Sequence, residues 1–181
     1  NSFYKVEFKN LFKEPFNKEL FVYERFRDKK SSIDLTTQSK GIFTFLHTSL
    51  GIEKGRKDNN KIPKIIKKSN FKKDFIKGLA DSDFCLTFKN KSKYRIPTIS
   101  WSTKNKILMK EVNKELKNLG FKTSTLFDFP KKRYEKVHIS NQLEINGVEQ
   151  LELWMKLIGF NSRKHLTKYL IWKKFGFCPP Y

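Results

Sequence analysis

The chain has 181 residues, 39 Lys and Arg against 18 Asp and Glu, a formal charge of +21, and 38% apolar content that includes 18 Phe. That is enough apolar material for a packed core and excludes disorder throughout; no apolar run approaches the ~18–20 residues that span a bilayer, so no membrane partner is expected. The surplus of positive charge predicts a polyanionic partner, most often nucleic acid.

Residues 3–12, FYKVEFKNLF, have the spacing of an amphipathic helix that Pro15 closes. LFVYERFR (20–27) sets Leu20, Val22 and Phe26 against Tyr23, Arg25 and Arg27 and predicts a strand. SSIDLTT (31–37) predicts its partner across the turn Asp28–Lys30. A helix follows from about Lys40 to Leu50, stopped by Gly51. Residues 53–70 read as a basic, turn-rich connector with one short apolar piece at Ile65 and Ile66.

The second half opens with a helix over 71–82, a strand at FCLTFK (84–89), the turn Asn90–Lys93 and a strand at YRIPTISWST (94–103). Pro97 requires that this strand have one unpaired edge at that point. A helix from Asn105 to Leu119 places Ile107, Leu108, Val112, Leu116 and Leu119 on one face and ends at Gly120. FKTSTLFDF and RYEKVHIS predict a hairpin turning around Pro130–Lys132. Gly147–Ile158 predicts a helix capped by Gly159, and Ser162 N-caps a last helix that runs to about Phe175. From residue 71 onward the order is helix–strand–strand–helix–strand–strand–helix. Its fold class is α/β in the broad sense, α+β in detail, with helices layered on an antiparallel sheet.

Part of this pattern occurs twice. KNLF (9–12) matches KNLGF (117–121), and GIFTFLHTSLGIEKGRK (41–57) resembles GVEQLELWMKLIGFNSRK (147–164), at a near-constant spacing of roughly 107 positions. The sequence therefore divides into a partial first repeat (1–57), a basic linker (58–70) and a complete second repeat (71–181). The counterpart of FIKGLADSDF (75–84) would lie upstream of residue 1.

FIKGLADSDF also poses a physical question. It places Asp81 and Asp83 at the C-terminal end of a helix, where the dipole makes each acid unfavourable by roughly 0.3–1 kcal/mol. Such a pair is either incidental or held in place by something positive beside it, such as a metal ion. Cys85 and Cys178 sit in no CxxC or Cys/His cluster, and His47, His138 and His165 form no HExxH pattern. These spacings predict a reduced, cytoplasmic chain without structural zinc. No Walker A loop or GxGxxG fingerprint supports nucleotide chemistry.

FIKGLADSDF, the hairpin after it, STKNKILMKEVNKELKNLGF and LWMKLIGFNSRKHLTKYLIWKKFGF together resemble the LAGLIDADG (dodecapeptide) homing endonucleases of the archaeal two-repeat type, with the first repeat N-terminally truncated. The resemblance implies an αββαββα fold in which antiparallel, saddle-shaped sheets lie on the DNA. It implies motif helices that pack closely through Gly78 and Ser82. Asp83 falls on the family's metal-binding acid, with the carbonyl of Ser82 as a second ligand for Mg²⁺ or another divalent cation. Asp81 falls on a supporting acid, Lys104 on a basic residue near the active site, and Phe84 stands where the motif has Gly. The implied activity is metal-dependent double-strand cleavage of DNA at a long recognition site.

Cutting both strands takes two such acids. The second would come from an upstream segment or from a homodimer formed through the motif helix. Strand alternation then assigns the DNA contacts to Arg25, Arg27, Lys89, Arg95, Lys136 and His138, with Leu86, Phe88, Val137 and Ile139 on the packed face. The alternative is a catalytically inactive relative that binds nucleic acid, either a maturase acting on intron RNA or a DNA-binding regulator.

Overall fold

The computed structural model describes residues 9–10, 12–27, 30–52, 54, 60–91, 94–133 and 136–177; for Arg27, Lys30, Ser31, Asn90, Lys91, Tyr94, Arg133 and Lys136 it describes the backbone alone. Residues 3–8 and 11 of the predicted first helix, Asp28 and Lys29, Ser92 and Lys93, much of the connector and Cys178 lie outside the described residues. The chain divides into two units, Asn1–Leu50 and Gly51–Tyr181.

In the first unit residues 12–16 are helical (α1). Pro15 therefore stands inside the helix rather than after it. The stop is Asn17, in the left-handed region at φ 45, whose N–H donates to the Lys13 carbonyl at 2.8 Å. β1 (Phe21–Arg27) pairs antiparallel with β2 (Lys30–Thr36), Phe21 opposite Thr36. α2 (Lys40–Thr44) starts where Ser39 Oγ accepts the Ile42 N–H. It continues as a wider π turn over Phe45–Ser49 and ends at Gly51, φ +65. Phe26, expected on a packed face, is 76% exposed, and Ile42 is the one buried residue among those described in this unit. A two-stranded ribbon has too little surface to bury its own aromatic residues.

The second unit carries the core. A single helical turn, α3 (Lys64–Lys67), forms inside the connector around Ile65 and Ile66. Then come α4 (Lys72–Asp83), β3 (Phe84–Lys91), β4 (Tyr94–Thr103), α5 (Lys106–Asn118), β5 (Thr123–Arg133), β6 (Lys136–Asn146), α6 (Val148–Leu157) and α7 (Arg163–Phe175). The four strands form one antiparallel sheet in the order β3-β4-β6-β5. β4 meets β6 only from Thr98 onward, so Tyr94–Pro97 pair with β3 alone, as Pro97 requires.

One sheet face is apolar: Phe84, Leu86, Ile99, Trp101, Leu143 and Ile145 are buried beneath Ile76 and Ala80 of α4, Met109, Val112 and Leu116 of α5, and Leu151 and Trp154 of α6. Each large side chain so buried contributes roughly 1.5–3 kcal/mol. The predicted α5 stripe needs one correction. Met109 is fully buried and Ile107 is 39% exposed. Met109, Val112 and Leu116 follow the i, i+3, i+7 spacing of one helix face, and Ile107 falls on the opposite side.

The hairpin is also longer than its sequence suggests. Pro130, Lys131 and Lys132 lie within β5 rather than in a turn, Pro130 opposite Ile139. β5 is an edge strand, where a missing N–H disturbs no second ladder. Its pairing shifts between Leu126 and Phe129, with Asp128 at φ 54. Beyond that bulge Val137 and Ile139, expected on the packed face, are 62% and 52% exposed. Alternation sorts inside from outside only where a helix layer covers one face, and the hairpin tip extends past it. At the other edge α7 lies along β3: Lys168 Nζ donates to the Leu86 carbonyl at 3.0 Å, and Trp172 stacks on Phe88.

Candidate functional site

The question posed by the two acids has two different answers. Asp81 faces the start of α7, where its carboxylate accepts the Asn161 N–H at 2.9 and 3.1 Å and the Ser162 N–H at 2.8 Å. An acid that is unfavourable at the end of one helix is favourable at the start of another. Asp83 is the last residue of α4 and is exposed. It lines an open groove of about 410 Å³ on the uncovered sheet face, with Cys85, Ser100, Ser102, Gln142, Ser140, Phe129 and Lys131.

Phe84 follows at φ −85, ψ 161, an extended backbone open to any residue, so the conformational freedom of the motif's Gly is not needed here. Its ring is buried, stacked on Trp101 with centroids 5.1 Å apart and 5.8 Å from Trp154.

A second groove of about 510 Å³ adjoins the first and shares Ser102, Lys131 and Ser140 with it. Lys104, Lys132, His138 and Ile139 complete its lining. Lys104 and Asp83 therefore open onto neighbouring parts of one surface. The corner that carries Lys104 is set by two buried asparagines. Asn141 Nδ2 donates to the carbonyls of Thr103 and Lys104 at 3.1 and 3.2 Å, while its Oδ1 accepts the Asp128 N–H of the bulge at 3.1 Å. Asn105 caps α5 through the Leu108 N–H and donates to the Asn60 carbonyl. Sequence reading missed Asn141, Lys131 and Lys132. The lysine pair was legible as charge, but its assignment to a turn hid its place on the sheet.

The remaining predicted contacts are distributed unevenly. Lys89 is paired with Glu144 at 2.6 Å. Burial pushes the Glu144 carboxyl up, and the hydrogen bond and charge of Lys89 outweigh it, holding the group below the ordinary carboxylate range. Arg95 is exposed on β4, and His138 lines the second groove. In the first unit Arg25 is paired with Asp34 at 2.6 Å. Arg27 and Lys136 have strand backbones, but their side chains lie outside the described residues. Gly78 and Ser82 are exposed, Ser82 Oγ donating to the Leu79 carbonyl. A Cβ built on Gly78 would meet nothing within 4 Å among the described residues.

Among the described residues no three His, Cys, Asp or Glu side chains gather to cage a metal, and Asp83 is the one carboxylate in the lining of its groove. A hard cation such as Mg²⁺ binds through one or two carboxylates, keeps several waters and takes phosphate oxygens from its substrate. The exposed Asp83 carboxylate at the end of α4 would supply one oxygen donor to such a cation. The donor set fits a cation shared with a bound phosphate, which would stabilise phosphate charge and lower the pKa of a bound water.

Behind Asp81 lies His165, buried against Phe160. Among the described residues its Nδ1 has no hydrogen-bond partner. Burial holds this imidazole below its ordinary range; the Asp81 carboxylate and the Phe84 backbone pull it up, and Lys164 and Lys168 add to the lowering. The unfolded chain thus binds the extra proton, so this contribution to stability is present above the ordinary value of 6.5 and is lost as pH falls through the lower folded value. The melting temperature is expected to fall between about pH 7 and about pH 5, and to fall less in His165→Gln. Parallel pH profiles from thermal melts of the two chains would refute this.

No protein-family model matches this chain, and comparison with curated proteins finds no match either.

Proposed function

We propose that the chain is a LAGLIDADG-type DNA endonuclease that binds duplex DNA on the uncovered sheet face of its second unit and cleaves it with a divalent cation held at Asp83. The observation that carries this reading is the position of Asp83: a lone exposed carboxylate at a helix end, opening into a groove shared with Lys131 and continuous with Lys104, Lys132 and His138. A carboxylate among cations on an open polar surface suits a phosphodiester, whose phosphate the lysines would position and whose charge a cation would stabilise. Polar Ser100, Ser102 and Gln142 beside them offer donors and acceptors to base edges. The second acid for the opposite strand would come from a second motif, in another segment or a second copy.

Selection of bound duplexes from a randomised library, followed by incubation with Mg²⁺, tests the reading; nicks that require Asp83 are its expected result. Tight, sequence-selective binding with no nicking would favour the second reading, a nucleic-acid-binding relative without catalysis. One carboxylate in the groove is the observation behind that reading.

Binding itself should depend strongly on salt. With about five phosphates neutralised, a rise from 50 to 200 mM salt is expected to weaken affinity by about 500-fold through counterion release. Fluorescence anisotropy over that range checks it, and a flat response would remove the basic groove as the binding surface.

A further inference from the structure

We propose that the first turn of α7 is the positioning element for Asp83, gripping the chain on both sides of it through Asp81 and His165. The inference rests on the reading of Asp83 as the cation-binding acid. The last turn of a helix frays, because its carbonyls have lost their intrahelical partners, and a ligand carried there pays an ordering cost each time it binds. Here that turn is fixed from outside. Two residues before Asp83, the Asp81 carboxylate is held by the N–H groups of Asn161 and Ser162 at 2.8–3.1 Å.

One residue after Asp83, the Phe84 ring is clamped between Trp101 and Trp154, and Trp154 in turn packs on Phe160, against which the His165 ring of α7 lies. Ser162 and His165 stand within one turn of each other, so both grips come from a single rigid piece of structure. Asp83 itself stays exposed. The result is a carboxylate free to bind on a backbone that is not free to move. Asp81 and His165 need touch neither cation nor DNA to set where the cation lies.

Removal of residues that orient a metal ligand typically costs 10–100-fold in metal affinity. The test titrates the full chain on a bound duplex, which supplies the phosphate oxygens, with Mn²⁺ followed by electron paramagnetic resonance against the duplex alone, and measures amide hydrogen exchange over residues 82–85 in the same samples. Asp81→Ala is expected to raise the Mn²⁺ dissociation constant about 10-fold or more and to speed exchange across the last turn of α4. Asp81→Asn keeps one acceptor oxygen and is expected to recover part of the loss, leaving binding about threefold weaker than wild type and exchange still faster. Asp83→Asn should lose the site while leaving exchange slow.

Wild-type Mn²⁺ binding in Asp81→Ala, alongside its loss in Asp83→Asn, would overturn the positioning role alone. Undiminished binding in Asp83→Asn would instead remove the cation site on which the proposal stands. If Asp81→Ala fails to fold, Asp81→Asn decides: binding about threefold weaker with faster exchange supports the grip, and no change in either overturns it.

Discussion

Asp83→Asn is expected to slow nicking of a bound duplex by ~10³-fold or more while changing duplex affinity by less than about threefold. Asn is nearly isosteric with Asp and keeps a carbonyl oxygen, but it lacks the charge a hard cation seeks. Cation stabilisation of a phosphoryl transition state is worth several kcal/mol, and each 1.36 kcal/mol is a factor of about ten in rate. Affinity behaves differently. Asp83 is exposed at the end of α4, so the replacement disturbs no packing. Removing one negative charge from a groove lined by Lys131, and adjoining Lys104 and Lys132, leaves the attraction to phosphate intact or slightly stronger. Single-turnover nicking at saturating protein, paired with anisotropy titrations in EDTA, separates the two quantities. A mutant that nicks at the wild-type rate would remove Asp83 from catalysis; one that nicks slowly only because it binds poorly would reassign it to binding.

Trp154→Ala is expected to destabilise the second unit by about 3–5 kcal/mol, the largest loss of any single substitution considered. The side chain is fully buried and stands at the centre of an aromatic cluster, its ring 5.6 Å from Phe121, 5.6 Å from Phe160 and 5.8 Å from Phe84. Its Nε1 donates to the Gly159 carbonyl at 3.1 Å, which ties the end of α6 to the chain leading into α7. Truncation leaves a cavity walled by Phe84, Phe121 and Phe160, and it frees that carbonyl. The melting temperature should drop by about 10–15 °C, measured by circular dichroism at the pH of maximum stability. A drop of only a few degrees would mean that the aromatic cluster repacks around the hole.

The positions of Phe84 and Trp154 also explain why the motif's last residue could not be interpreted from its identity. The resemblance sets Phe84 where the motif has Gly and says nothing of what a ring there would touch. In the fold the chain leaves α4 through an ordinary extended conformation, and the ring fills space between Trp101 and Trp154. Neither tryptophan is near it in sequence. Local pattern shows a Phe directly after a helix-ending acid; it does not show which distant rings that Phe will pack between.

What the sequence determined by itself is the set of local elements in the second unit. The period-3.6 stripe of α5, the alternation through β3 and β4, Pro97 at the limit of a ladder, and Gly51, Gly120, Gly159 and Gly176 at positive φ after helices all follow from short-range sterics and backbone hydrogen bonding. Asp83 at the end of a helix was legible for the same reason.

What only the tertiary structure decided is where those elements meet. Asp81 found its partners 80 positions away at the start of α7, and Asn141 found Lys104 and Asp128 across two strands. The hairpin tip stayed uncovered although its sequence alternates, because burial depends on whether a helix layer reaches that far. Each of these contacts depends on distance in space, which a chain of local preferences does not encode residue by residue. The sequence places the acid that would do chemistry, and the bonds from Asp81 to the Asn161 and Ser162 N–H groups, which join the end of α4 to the start of α7, form only in the tertiary structure.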